Sequence, residues 1–267
     1  MMRALWTAGS GMIAQQFNVD TISNNLANVN TTAYKKMRAE FKDLLYDTLE
    51  RAYLLNNTGK PVNLQVGHGA TVSATARSFA QGNFEKTDNP LDVAINGDAF
   101  FTVRGPKGDV IYTKDGSFKV TVTEEGKKLT TSEGYYVLDD AGNDIIIDVD
   151  LSKLKISENG DLSYFDDASG ATVSLGQKIG LVQFPNVQGL ENIGGNFYAR
   201  TPAAGDPVND SEQANRSLLM QGFLESSNVQ VVEEMVKLIV AQRAYEINSK
   251  AIQSADEMLG MANNLRR

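Results

Sequence analysis

One histidine, His68, and a few close-set aspartates are the side chains of this chain whose types and spacing suit chemistry. Imidazole serves as a base or a metal ligand near neutral pH. His68 stands between Gly67 and Gly69 in β-like sequence, with no second ligand type beside it at a metal-binding spacing. It reads as a structural or surface residue. Paired carboxylates can hydrolyse a glycosidic bond, one as acid and the other as base or nucleophile. The candidates are Asp139-Asp140, Asp166-Asp167, and the group Asp144, Asp148 and Asp150. The first two sit near turn glycines, where aspartate is favoured for backbone reasons, and the third lacks an EF-hand loop. A Ser-His-Asp triad would have to use His68, and no Gly-x-Ser-x-Gly elbow or phosphate-binding Gly-Lys-Ser/Thr occurs. With no cysteine there is no thiol nucleophile, zinc thiolate or disulfide. No catalytic residue, metal site or cofactor is expected.

The bulk properties narrow the class further. A chain of 267 residues, 42% hydrophobic and 22% charged, has the make-up of a folded protein with one large domain or two to three smaller ones. Its net charge of −8 and the lack of a dense Lys/Arg run argue against nucleic acid as a partner. The pairs Lys35-Lys36 and Arg266-Arg267 read as solvated helix flanks. No apolar window reaches membrane-spanning length, so no membrane insertion is expected. Gly9, Ser10, Gly11 and Gln15 interrupt the first apolar stretch too often for a signal-peptide core. Export, if it occurs, would not use the usual cleaved signal.

The elements that would position any site fall into three stretches. Residues 3–27 carry helix spacing, which fails at Val29 to Thr32, where β-branched and Asn residues favour a turn or extended chain. The stretch 41–55 has Phe41, Leu44, Leu45, Thr48, Leu49 and Ala52 at helix-like intervals and reads as a short helix or an ambiguous segment; 56–61 reads as a loop. From 62 to 208 the pattern changes to short strands, among them Phe100 to Val103, Val110 to Thr113, Ile145 to Ile147 and Ile179 to Phe184. Turn pairs such as Asn96-Gly97, Asp115-Gly116 and Asn159-Gly160 separate them, which points to an antiparallel β domain. A last helix runs to about residue 265, with Ser227 and Gln230 at capping-box spacing. The fold class is α+β: terminal helices forming a coiled coil, and a central antiparallel, mainly-β domain.

Both helices carry heptads. Leu5, Met12, Val19 and Leu26 recur every seven residues, and Ala8, Gln15, Ile22 and Val29 follow each by three. At the other end Val231, Leu238, Tyr245, Ile252 and Leu259 keep the same period, with small Ala241, Ala255 and Ala262 three residues beyond Leu238, Ile252 and Leu259. An antiparallel pair of the chain's own ends is the simplest match, because the β domain can return the chain to its start. Such a subunit would expose apolar stripes to neighbours and so favours an assembly protein over an enzyme. The same pattern also fits a helix pair buried in one monomer.

The motifs at the two ends resemble one known family. Ser23-Asn24-Asn25-Leu26-Ala27-Asn28-Val29-Asn30-Thr31-Thr32-Ala33-Tyr34-Lys35 is similar to the signature of the bacterial flagellar rod and hook proteins. Gln242-Arg243-Ala244-Tyr245-Glu246-Ile247-Asn248 resembles that family's last helix, and Leu91-Asp92-Val93-Ala94-Ile95-Asn96-Gly97 its middle. The match runs along essentially the whole chain. Within the family the chain looks most like the distal rod branch, through Leu5-Trp6-Thr7-Ala8, Gln15-Gln16 and Phe41-Lys42-Asp43-Leu44-Leu45-Tyr46. Proximal rod and hook-type subunits are the alternatives within the family. A periplasmic cell-wall hydrolase and a monomeric binding module with a stalk are those outside it. Ala33 departs from the glycine of many relatives, which questions a left-handed backbone there.

The resemblance implies a structural subunit, exported through the flagellar type III apparatus, that polymerises into a rigid helical tube across the periplasm. The tube would transmit torque to the hook and enclose the export channel. Residues 1–30 with 227–267 would form the inner coiled-coil layer, 31–75 with 209–226 a connecting region, and 76–208 the outer β domain. Leu5, Met12, Val19, Ile22 and Leu26 would pack against Val231, Leu238, Tyr245, Ile252 and Leu259 as the assembly seam. Asn24, Asn25 and Asn28, around Leu26 and Ala27, would make side-chain hydrogen bonds where the helix ends. The stretch 46–66, with Leu54, Leu55, Asn56, Asn57, Thr58, Gly59, Lys60 and Pro61 at its centre, would stiffen the shaft by bridging neighbours. The implied partners are further copies of the chain, proximal rod proteins, the hook protein, surrounding rings or a collar, and the export apparatus.

Overall fold

The computed structural model describes residues 2–50, 53–55, 58–60, 63–124, 126–166, 171–213 and 215–264. The chain divides into two compact units: Met1–Ala27 with Met37–Ser78 and Gln230–Arg267, and Asn28–Lys36 with Phe79–Val229.

The first unit holds both long helices, α1 (Met2–Ala27) and α2 (Val231–Asn264). Neither contains proline, and α1 gives way to a turn at Asn28 to Asn30. Glu233 and Glu234 occupy the first turn of α2, where the helix dipole favours acids. Ser227 lies outside α2, so the expected capping box does not form. Its Oγ accepts from the Val229 N–H, 3.3 Å away, and the first helical turn is closed by Glu234 N–H donating to the Gln230 carbonyl.

Between the helices, the stretch expected to be helical or ambiguous is strand. β1 (Met37–Asp43) pairs with β6 (Ala70–Arg77), β2 (Tyr46–Glu50) with β5 (Leu64–Gly67), and β3 (Tyr53–Leu55) with β4 (Thr58–Lys60). These nested antiparallel pairs make one ribbon, bulged between Glu40 and Phe41. The helix-like spacing is overridden because the returning strands supply a ladder for Phe41 and Thr48, while Leu44 and Leu45 lie between β1 and β2, Leu44 N–H donating to the Gly69 carbonyl at 2.9 Å; Ala52 lies outside the described residues. Thr58 to Lys60, expected as loop, belong to the return strand; Asn56, Asn57 and Pro61 lie outside the described residues. β1 and β6 pack on α1, and between β5 and β6 Gly69 takes φ +106° where a Cβ would overlap Ser10.

The second unit is mainly β. Its largest sheet runs Lys119–Thr123, Gly126–Thr130, Tyr136–Val137, Phe100–Arg104, Val110–Thr113, Phe197–Ala199, Glu191–Gly194. Leu181–Gln183 also pairs with Phe100–Arg104. A three-stranded sheet (Leu154–Ile156, Asp161–Asp166, Ala171–Lys178) and two strand pairs complete the unit, all antiparallel. Alternating residues of these strands build the core: Phe101 meets Phe118 edge-on at 4.9 Å among Leu129, Val137, Leu162, Ile179 and Leu219. Phe100, Tyr112, Phe184 and Tyr198 form a second cluster. Ile145 to Ile147, expected as a strand, forms no named strand but an isolated bridge, Lys128 with Ile146, beside backbone hydrogen bonds of Ile145 to Leu129 and Val137 and of Ile147 to Lys127. Ile145 and Ile147 are nonetheless buried.

One core cation carries a pH signature. Lys114 is 3% exposed, donates to the Gly97 carbonyl at 2.9 Å and lies over the Phe100 ring. Burial, and next the positive charge of Lys35, lower its pKa from 10.5 to about 8. Between those two values the unfolded chain holds the proton and the folded chain does not. Unfolding therefore takes up a proton and becomes harder as the pH rises. Burial raises the Tyr112 hydroxyl above its ordinary 10, so it works in the opposite direction only at higher pH. We expect folding stability to gain about 2 kcal/mol between pH 8 and 10 from Lys114. Denaturant titrations across that range test this, and Lys114→Met should remove the gain; a wild-type midpoint flat with pH would contradict it.

Candidate assembly interface

The two helices run antiparallel. Gly11 lies against Asn248, Gln16 and Val19 line one groove with Gln242 and Tyr245, and Asn25 reaches Glu234. Positions rising along α1 thus meet positions falling along α2. The buried residues of the helices are Ala8, Ala14, Ile22 and Asn25 on α1 and Glu234, Ala241 and Ala255 on α2, four of the seven being alanine. Alanine and Gly11 allow close approach of the helix axes, while larger seam residues flank the contact.

Of the seam expected from sequence, Ile22 is buried. Leu5, Met12, Val19, Leu26, Leu238, Ile252 and Leu259 are half-buried. Val231 and Tyr245 are exposed. The expected seam is covered unevenly, and Ala8, Ala241 and Ala255, three positions beyond Leu5, Leu238 and Ile252, are buried.

The end of α1 is fastened by an amide. Asn25, 1% exposed, accepts from the Met37 N–H and donates to the Met37 carbonyl, both at 2.8 Å. One planar side chain thereby meets both backbone groups of a strand residue, as a neighbouring strand would. The same Nδ2 donates to Glu234 Oε2 at 3.2 Å, and Lys237 donates to Glu234 Oε1 at 2.6 Å. Asn25 thus joins α1, β1 and α2. In the second unit Asn28 Oδ1 accepts from the Thr31 hydroxyl at 3.1 Å. Asn24 and Ala27 are exposed. Ala33 takes φ 55° and is 1% exposed, so the left-handed backbone that the missing glycine called into question is kept by an alanine. Its N–H donates to the Glu225 carbonyl at 2.8 Å, which holds the strained conformation in place.

Sequence reasoning did not pick out the other side of the helices. Met2, Trp6, Ile13 and Phe17 of α1 are exposed, Trp6 by 73%. On α2, Val232, Val236, Ile239, Val240 and Ile247 are exposed, Val232 by 75%. The spacing of 4, 7 and 4 residues on α1 was a usable signal, since these apolar residues lie off the seam heptad. The ribbon adds Phe41, Leu45, Tyr46, Leu49 and Leu64 to the exposed set. Leu54 and Leu55 lie on β3 and face Gly59 and Thr58 of β4 across the ladder. Among the described residues no group of three or more His, Cys, Asp or Glu is placed to hold a metal ion, and no helix is long and apolar enough to cross a membrane.

A chain that pairs its two ends and leaves apolar helix and ribbon surfaces uncovered has the build of an assembly subunit. Three family models match it: "Flagella basal body rod protein" over residues 5–35, "Flagellar hook protein FlgE/F/G D1 domain" over 94–164 and "Flagellar basal body rod FlgEFG protein C-terminal" over 220–265. The flagellar basal-body rod protein FlgG of Borreliella burgdorferi is 50% identical over 274 residues, covering all of both chains. The proteins of that name from Buchnera aphidicola of Schizaphis graminum and from Caulobacter vibrioides are 41% and 40% identical, each over 99% of this chain and all of their own. The chain belongs to the flagellar basal-body rod and hook family, and it is a structural protein, not an enzyme.

The Asn25 network predicts a stability loss. Asn25→Ala leaves the Met37 N–H and carbonyl and one Glu234 oxygen without this partner, and should cost about 2–3 kcal/mol in chemical denaturation. Asn25→Asp should cost more, because it sets a second carboxylate against Glu234. Equal midpoints for wild type and both variants would show that the amide does not fasten the helix.

Proposed function

We propose that the chain is the distal rod subunit of the flagellum. Copies polymerise head to tail into a rigid helical tube that transmits motor torque to the hook and encloses the export channel. A heterologous contact that does not close on itself generates such a filament. The observation that carries this reading is the exposed apolar face of the helix pair, Trp6, Ile13 and Phe17 on one helix and Val232, Val236 and Val240 on the other. A monomer gains nothing from holding these side chains in water, and burial against a neighbour would return about 1.5–3 kcal/mol for each large side chain.

In the tube, residues 1–30 with 227–267 form an inner coiled-coil layer. Residues 31–75 with 209–226 connect, and 76–208 form the outer layer. The seam of Leu5, Met12, Val19, Ile22 and Leu26 against Val231, Leu238, Tyr245, Ile252 and Leu259 holds each copy's helices together, and the uncovered faces join one copy to the next. The ribbon 46–66 reaches a neighbouring copy through Tyr46, Leu49 and Leu64 and stiffens the shaft. Proximal rod proteins at one end, hook protein at the other, surrounding rings or a collar, and the export apparatus complete the set of partners. The site of action is the periplasm-spanning part of the basal body. Support for the distal branch comes from full-length relatives carrying the name of the rod protein.

Two experiments test this. Ile13→Asp and Val240→Asp change exposed positions, so the purified monomer should keep its denaturation midpoint while rod assembly is lost; rods of normal length from either variant would refute the interface. Removing 46–66 should give tubes that assemble but bend, measured as a shorter persistence length in electron micrographs. Unchanged stiffness would take the stiffening role away from the ribbon.

A further inference from the structure

Within the second unit, taken by itself, one buried carboxylate is only half used. Glu225, its side chain 1% exposed, meets Lys35 at 2.6 Å through Oε1, and the same oxygen accepts from the Gly82 N–H at 2.6 Å. Lys35 Nζ also donates to the Ala80 carbonyl at 3.0 Å, which binds the segments at 35, 80–82 and 225 into one node. Among the described residues no donor reaches Glu225 Oε2. Glu225 lines a cavity of about 190 Å³ together with Asn30, Thr32, Glu85, Thr87 and Ser226, all of them in this unit. The Thr87 hydroxyl, also buried, has no partner among the described residues either. With Oε1 taken by the node, Oε2 is the oxygen that Glu225 keeps for an occupant of this cavity. A buried polar atom left unpaired is costly, so such an occupant is strongly favoured.

The walls define its chemistry. A carboxylate only accepts, so the occupant has to donate. Lys35 offsets one negative charge, Glu85 adds another at an exposed position, and no lysine or arginine is among the described walls. A cationic group with several donors suits this set of oxygens. Guanidinium carries five N–H donors in a planar fork on a long stem, where an ammonium carries three.

The second unit also holds a matching cation. Arg216 is exposed, and among the described residues its guanidinium has no hydrogen bond or ion pair. The other described arginines each bond to an acid, a carbonyl or a sulfur. Arg216 borders a different cavity, with Asp140 and Asp161, and pairs with neither. We propose that the cavity beside Glu225 is a socket for the guanidinium of Arg216 from a neighbouring copy, bonded to Glu225 Oε2 and the Thr87 hydroxyl. This rests on the rod reading above. Plug and socket are different patches of one surface, so the contact is heterologous and leaves a free plug and a free socket at the ends of any row. It adds a polar contact between β units to the apolar contacts of the helices.

The chain has no cysteine, so Arg216→Cys with Asn30→Cys places two thiols, both at exposed positions. Rods are isolated from cells in which this full-length variant is the sole copy of the subunit, and are treated with a bismaleimide that has the reach of an arginine side chain. Denaturing gels should show a ladder of dimers, trimers and longer multimers, because each copy gives one thiol and receives another. Rods of either single variant should run as monomers. A double variant that stays monomeric, or that cross-links within one chain, overturns the socket. Arg216→Gln gives a second measurement without new thiols. Its monomer should keep the wild-type denaturation midpoint, since Arg216 holds nothing in its own copy, while its rods should dissolve at a lower urea concentration. Arg216→Gln rods as resistant as wild type also overturn the socket. Wild-type chains that form no rods would instead remove the rod reading on which it stands.

Discussion

A helix with apolar residues on two faces has to cover both, and one partner helix covers only one. That constraint governs the first unit. α1 turns Ala8, Gly11 and Ile22 toward α2 and Ala14 inward, yet leaves Trp6 and Ile13 in water. α2 does the same with Ala241 and Ala255 on one side and Val232, Val236 and Val240 on the other. Small residues occupy the inner contact because close packing of two backbones needs little side-chain volume. The larger ones are left where a second copy can reach them. The internal pair orders the surface, and the surface then has a fixed pattern to present.

The polar residues of the family-like motif at the end of α1 answer a different constraint. Where a helix gives way to a strand, neither element can satisfy the other's backbone, and buried N–H and carbonyl groups must find partners. Asn25 supplies both for Met37 with one side chain. Asparagine suits the position because its amide carries donor and acceptor in one plane, at a reach that glutamine would overshoot and aspartate could not match in charge. At Asn25 the asparagine is a backbone device, and its role there is geometric.

Both helices, their antiparallel sense and the β character of the middle were legible in the sequence, because heptads and Asn-Gly turns are local patterns. The ribbon was not, because the spacing of Phe41, Leu44 and Leu45 fits a helix as well as a strand and only the pairing with 64–77 decides between them. Ile145 to Ile147 were legible as buried and extended, and their backbone bonds to Lys127, Leu129 and Val137 give an irregular edge and not a regular strand. Ala33 shows the limit of reading residue type as backbone angle. The left-handed conformation costs alanine about 1–2 kcal/mol, and the Glu225 carbonyl and surrounding packing impose it all the same. The exposed stripe was legible in principle, but only to a search for apolar residues off the heptad.

The node at Lys35 raises the question of why a buried cation is kept in an acidic protein. Desolvating an ion is expensive, and Lys114 close by already pushes against another positive charge. An apolar residue at position 35 would avoid that cost, but it would bind none of the groups that Lys35 holds. A lysine long enough to touch both Glu225 and the Ala80 carbonyl joins three chain segments at one atom. Apolar contacts are non-directional and let segments slide past each other, whereas these bonds weaken steeply with a change of angle. Stability gained elsewhere, in the aromatic and aliphatic core of the β unit, offsets the cost. Direction is what the node contributes, and direction is the property that packing alone does not provide.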